Sequence, residues 1–180
     1  ELSFLSFLAF MAASLLQMLL ANGHAYALPA LAWLGALGAQ GLTLSMLLVC
    51  ASGISVARDY AGRRPDNPWL RGLPVVGAWA MALLALALVL GFSPGPVLMQ
   101  NVVTASWVVA ALLAMLAFAS ATLRKAWLGW PLLAALVFLG ISGTLFEMSV
   151  RGVGRPFWGS FGYQVGLVLV AVVLVVALIG

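Results

Sequence analysis

Charge is scarce in this sequence: 7% of its 180 residues are Asp, Glu, Lys or Arg, against about 25% in a soluble domain. A water-soluble globule of this size cannot cover its surface with so few charges, so the solvent that accepts the chain is mostly lipid. Cysteine is nearly absent. The one residue, Cys50, lies inside an apolar stretch, which excludes disulfide frameworks and thiolate metal sites and reads as a small core residue. Histidine is equally rare, and a lone His24 excludes haem held by two axial histidines and histidine-rich metal centres. Catalytic sets are missing as well. No Ser–His–Asp set falls within reach, no carboxylates pair outside an Arg-crowded loop, and no glycine-rich phosphate loop follows a strand. The expectation is a protein that is not an enzyme and needs no cofactor.

What the sequence has in quantity is long apolar runs, with 65% of residues hydrophobic. Transmembrane β-strands alternate apolar and polar over about ten residues. These runs are unbroken for about twenty, the length a helix needs to cross about 30 Å of hydrocarbon. The fold class is therefore all-α: one polytopic bundle of six transmembrane helices filling 1–180. The first run covers 2–20 and ends at the turn Asn22-Gly23-His24. The second opens near Leu28-Pro29, where proline suits a first helical turn, and continues to about 57. That is longer than a bilayer needs, so this helix is expected to tilt or project. The third covers 74–92, and Ser93-Pro94-Gly95-Pro96 makes a tight turn. The fourth covers 97–123, the fifth 131–150 with Pro131 at its start, and the sixth 161–179. The chain begins at Glu1 and stops in an apolar run at Gly180, so a piece of a longer protein is expected.

The formal charge of +4 does not point to nucleic acid, because no basic face with interleaved aromatics exists. The cations sit in short loops and act as topology signals. Arg58, Arg63, Arg64 and Arg71 follow the second run, and Arg124 and Lys125 follow the fourth. The loops after the first and third runs carry none. Loop 58–71 and both ends of the chain are thus expected on the cytoplasmic side of an inner membrane. Arg151 and Arg155 depart from this rule on the outer side, where Glu147 stands four residues before Arg151 in the order that favours a helical ion pair. Trp69, Trp127, Trp130 and Trp158 lie at run ends as an aromatic belt, whereas Trp33, Trp79 and Trp107 lie deeper and read as packing residues.

The sharpest local signal is Asp59-Tyr60-Ala61-Gly62-Arg63-Arg64 between the second and third runs. An Asp at a helix end pairs with Arg and with the positive end of a neighbouring helix, and the Gly permits a tight backbone turn. This loop resembles the signature loop of the major facilitator superfamily, in which an Asp, two spacers, a Gly and two basic residues follow the second helix of a six-helix half. Phe157-Trp158-Gly159-Ser160-Phe161 is faintly similar to that family's Trp-Arg-x-x-Phe segment. The chain departs from the pattern where Ser55 stands for a Gly and Tyr60 for a basic residue. The family's Arg early in the fourth helix also has no counterpart, since Gln100-Asn101 stand near that place. The resemblance implies one half of a secondary carrier for a small molecule, partnered by a second helix bundle and working by alternating access. Asp59, Gly62, Arg63 and Arg64 would form a conformational latch.

Polar residues inside apolar runs are costly in lipid and mark candidate sites. Gln17, Gln40, Thr43, Ser45, Thr104, Ser106, Ser142 and Thr144 are such residues, although Ser and Thr can bond their own helix. Gln40, Asn101, Glu147 and Arg151 are the candidates for a substrate path. Gly162 and Gly166, four apart, permit close helix contact. The competing reading is a membrane-embedded sensor, anchor or assembly module of a larger protein or redox complex, for which His24 would be the one candidate axial ligand.

Overall fold

A computed structural model describes residues 2–27, 29, 33, 38–61, 68–92, 95–122, 126–150 and 156–179. Among these the chain is entirely helical: α1 (Leu2–Ala21), a 3-10 turn (His24–Ala27), α2 (Ala39–Ala61), α3 (Pro68–Val89), α4 (Pro96–Thr122), α5 (Ala126–Val150) and α6 (Pro156–Ile179). The segments Phe4–Ala21, Gln40–Asp59, Gly72–Val89 and Val97–Ala117, on α1 to α4, are each long and apolar enough to cross a membrane. Helices α5 and α6 carry the shorter apolar segments Leu133–Phe146 and Phe161–Val176 among the described residues.

Several expected boundaries move. The long second run does not form one helix, because α2 begins at Ala39 and is preceded by Gly38 at φ 54°. A glycine in the left-handed region interrupts helical geometry there. The helix that results is 23 residues long, close to the bilayer's requirement of about 20. The polar loop is also shorter than its composition suggests. α2 carries Arg58 and Asp59 in its last turn, and α3 already starts at Pro68, with Pro74 inside it. Pro68 occupies the first helical position, where a missing N–H costs nothing. Pro131 likewise lies inside α5 instead of opening it, and α6 starts at Pro156, five residues before the expected Phe161. The α3 terminus follows a recognisable stop: Gly91, at φ 92°, and Phe92 donate their N–H groups to Leu88 O and Ala87 O at 3.1 and 3.0 Å, a Schellman motif.

α2 is the hub. It packs against α1, α3 and α4, while α5 and α6 form the most extensive helix pair and α6 reaches back to α1. Most of α2 is buried, through Leu44, Leu47, Val49, Cys50, Ile54 and Ala57 among others, while Leu48 on one side is exposed. Leu5, Leu83, Leu112 and Val172, by contrast, point outward from the other helices, the pattern for side chains solvated by lipid tails. Trp107 is buried, as its depth suggested, but Trp79 is 66% exposed and Trp33 63% exposed, so these two face the bundle's surroundings.

The α5–α6 contact is close for a local reason. A methyl group at Gly166 would stand 3.1 Å from the Leu139 Cα and 3.0 Å from Ser142 Oγ, and one at Gly162 would stand 3.3 Å from Ser142 Cβ. The small-residue spacing seen in the sequence is therefore the seam between the two helices.

Candidate functional site

Long-range contacts fix the relative direction of the helices and divide the bundle into two ends. Ser6, early in α1, meets Asp59 at the end of α2, so these helices are antiparallel. Asn22, just past α1, accepts a 2.9 Å hydrogen bond from Gln164 Nε2, near the start of α6. Tyr163, beside Gln164, donates to Met46 Sδ on the first half of α2 at 3.6 Å. One end of the bundle thus gathers Ser6, Arg58 and Asp59. The other gathers Asn22, Gln164, Tyr163 and the beginning of α2.

At the first end the geometry centres on Asp59. Its side chain is only 7% exposed, and it accepts a 2.6 Å hydrogen bond from Ser6 Oγ at Oδ2 while Arg58 stands 3.5 Å from Oδ1. A carboxylate in the last turn of a helix faces the negative end of that helix's dipole. Arg58 and the N-terminal region of the antiparallel α1 offset this with positive potential, and a charge-assisted hydrogen bond adds to it. Of the four expected latch residues, Asp59 is therefore seated between two helices. Gly62, Arg63 and Arg64 lie outside the described residues.

Gln40 is half-buried in the first turn of α2, and Asn101 is exposed on the first part of α4. Glu147 belongs to the last turn of α5, but its side chain, like the whole of Arg151, lies outside the described residues, and so does their proposed ion pair.

Ser45, Thr104, Ser142 and Thr144 donate their hydroxyls to Leu42, Gln100, Phe138 and Gly140 carbonyls in their own helices, at 2.7–3.0 Å. A cavity of about 60 Å³ lies among Cys50, Trp107, Ala114, Leu136 and Val170, with an apolar lining. Beside it, Tyr163 stacks on Phe146 at 5.4 Å and meets Trp107 edge-on at 5.6 Å. Three buried polar atoms find no hydrogen-bond partner among the described residues: Ser14 Oγ, Gln17 Oε1 and Trp107 Nε1. Gln17, a candidate from the sequence, is 1% exposed, so its amide points into the bundle.

A larger space lies on the outside. α1 and α3 flank α2 and leave an open groove of about 730 Å³, bordered by Ser6, Ala9, Ser52, Ser55, Arg58 and Trp79.

Sequence reasoning found Asp59 and missed its partner. Ser6 lies 53 residues away in a run that also holds Ser3 and Ser14, and no local pattern marks it. The Asn22–Gln164 tie was also missed, because Asn22 already had an explanation as a turn residue. Comparison with known proteins gives no matching family model, curated protein or solved structure.

Proposed function

We propose that the chain is a closed transmembrane bundle of six helices that serves as the membrane-embedded sensor and anchor module of a larger protein. In this reading all six helices cross an inner membrane, with the Arg58–Asp59 end in the cytoplasm. The length of α5 and α6, 25 and 24 residues, supports six crossings, since about 20 suffice. The cations of loop 58–71 support the orientation.

The observation that carries the reading is the character of the interior. A path for a polar small molecule needs facing polar side chains and room. Here the buried hydroxyls of Ser45 and Ser142 turn back on their own helices, the buried Gln17 Oε1 has no hydrogen-bond partner among the described residues, and the cavity beside Trp107 is apolar and about 60 Å³. That is well below the roughly 300 Å³ at which small-molecule pockets begin. A bundle built in this way transmits displacement of its helices instead of passing a solute.

The second reading, half of a secondary carrier, draws on one specific observation. The buried Asp59 at the end of α2 holds α1 through Ser6, as a latch between moving helices would. The two readings part at Cys50, which is buried beside the cavity. In the intact protein in native membranes, a membrane-impermeant maleimide applied from either side should leave Cys50 unmodified, and should also leave an Ala114→Cys variant unmodified. Modification of either position from one side would show a water-filled path and give the carrier reading precedence.

A further inference from the structure

The geometry points to a binding site for one anionic phospholipid in the groove between α1 and α3, with its acyl chain along α2 and its phosphate at Arg58. This goes beyond the sensor reading and does not depend on it.

The dimensions select the occupant. Along α2 the groove runs from Arg58 to Leu48, and along α1 from Leu5 to Leu16. Ten residues of helix are about 15 Å, half of a hydrocarbon core of about 30 Å. The groove therefore serves one leaflet. A transmembrane helix from a partner would need a seam through both. Its volume, about 730 Å³, falls in the roughly 300–1,000 Å³ range of sites for single small ligands.

Charge selects the headgroup. The apolar segment of α2 is Gln40–Asp59, so Arg58 stands where hydrocarbon gives way to headgroups. Its side chain is 41% exposed and borders the groove. The neighbouring hydroxyls are committed as donors: Ser52 to Leu48 O, Ser55 to Ala51 O and Ser6 to Asp59. The guanidinium carries five N–H donors in a fork that matches phosphate oxygens, and Asp59 approaches it through one nitrogen.

Trp79 borders the same groove and is 66% exposed, so it reports occupancy. The test uses the full chain in nanodiscs containing brominated phosphatidylglycerol or brominated phosphatidylcholine, with the Trp79 signal taken as the difference from a Trp79→Phe variant. The expected result is half-quenching at an about fivefold lower mole fraction of the anionic lipid, the preference one cation confers near a membrane surface. Arg58→Lys should keep the preference and Arg58→Gln should abolish it. Ala51→Leu, which fills the groove floor without altering charge, should weaken quenching by both lipids. Equal quenching by the two lipids in the unmodified chain would overturn the site, as would a preference that survives Arg58→Gln. Trp79 left unquenched by either lipid while the chain crosslinks to a second copy would also overturn it, and would assign the groove to self-association.

Discussion

Ser6 and Asp59 join the start of α1 to the end of α2 through a 2.6 Å hydrogen bond onto a nearly buried carboxylate. Hydrogen bonds to charged groups contribute about 1.5–3 kcal/mol, so Ser6→Ala should lower the unfolding free energy of the detergent-solubilised protein by that amount. The Ser6→Ala, Asp59→Asn double variant should cost less than the sum of the two single variants. A double-mutant cycle read by chemical denaturation should return a coupling of at least about 0.5 kcal/mol. Additive effects would mean that the contact does not hold α1 to α2.

The α5–α6 seam makes an ordered prediction. Gly166→Ala places a methyl against the Leu139 backbone, which cannot swing away, whereas Gly162→Ala meets only the Ser142 Cβ at 3.3 Å. Overpacking costs about 1–3 kcal/mol. Gly166→Ala should therefore reduce thermal stability clearly more than Gly162→Ala, measured by static light scattering on heating. The reverse order would place the close approach elsewhere.

Gly143 lies under the indole of Trp107, where any Cβ would overlap the ring. Gly143→Ala should displace Trp107 from its edge-on contact with Tyr163 and change the near-ultraviolet circular dichroism, at a stability cost of about 1–3 kcal/mol. Adding Trp107→Phe should recover part of that loss, because the ring is smaller and the unpartnered Nε1 is removed. An unchanged aromatic spectrum in Gly143→Ala would contradict this packing.

The proposed orientation is open to a direct measurement. With Cys50 buried and silent, Asn67→Cys should react with an impermeant maleimide only in inside-out vesicles and Gly95→Cys only in right-side-out ones. The opposite sidedness would invert the assignment drawn from Arg58, Arg63, Arg64 and Arg71.

The helical architecture was legible because lipid imposes a coarse rule. An apolar run of about twenty residues can bury its backbone groups only as a helix, and the helices observed follow the runs. Two of the boundaries that moved are those where Pro74 and Pro131 were read as the start of a helix. Pro74 and Pro131 sit in the second turn of their helices, where each forfeits one i→i−4 hydrogen bond near the helix start and leaves the rest of the helix intact. Gly38 acted in the opposite way, dividing a run that composition alone joins. At the candidate site Asp59 was legible as a charge beside an apolar run. Ser6, Tyr163 and the groove were not, since each depends on which helices become neighbours, and nothing within a single run encodes that.

The hub position of α2 has a consequence for biosynthesis. The chain delivers α2 to the membrane before α3 and α4, two of the three helices that cover it. Until α4 emerges, the faces that carry Ser45, Cys50 and Ile54 have no complete set of protein neighbours. The α1–α2 hairpin, fastened by Ser6 and Asp59, is the first unit able to persist. A nascent chain arrested between α3 and α4 should be held by the insertion machinery or degraded, and release should follow only once α4 closes around its predecessor.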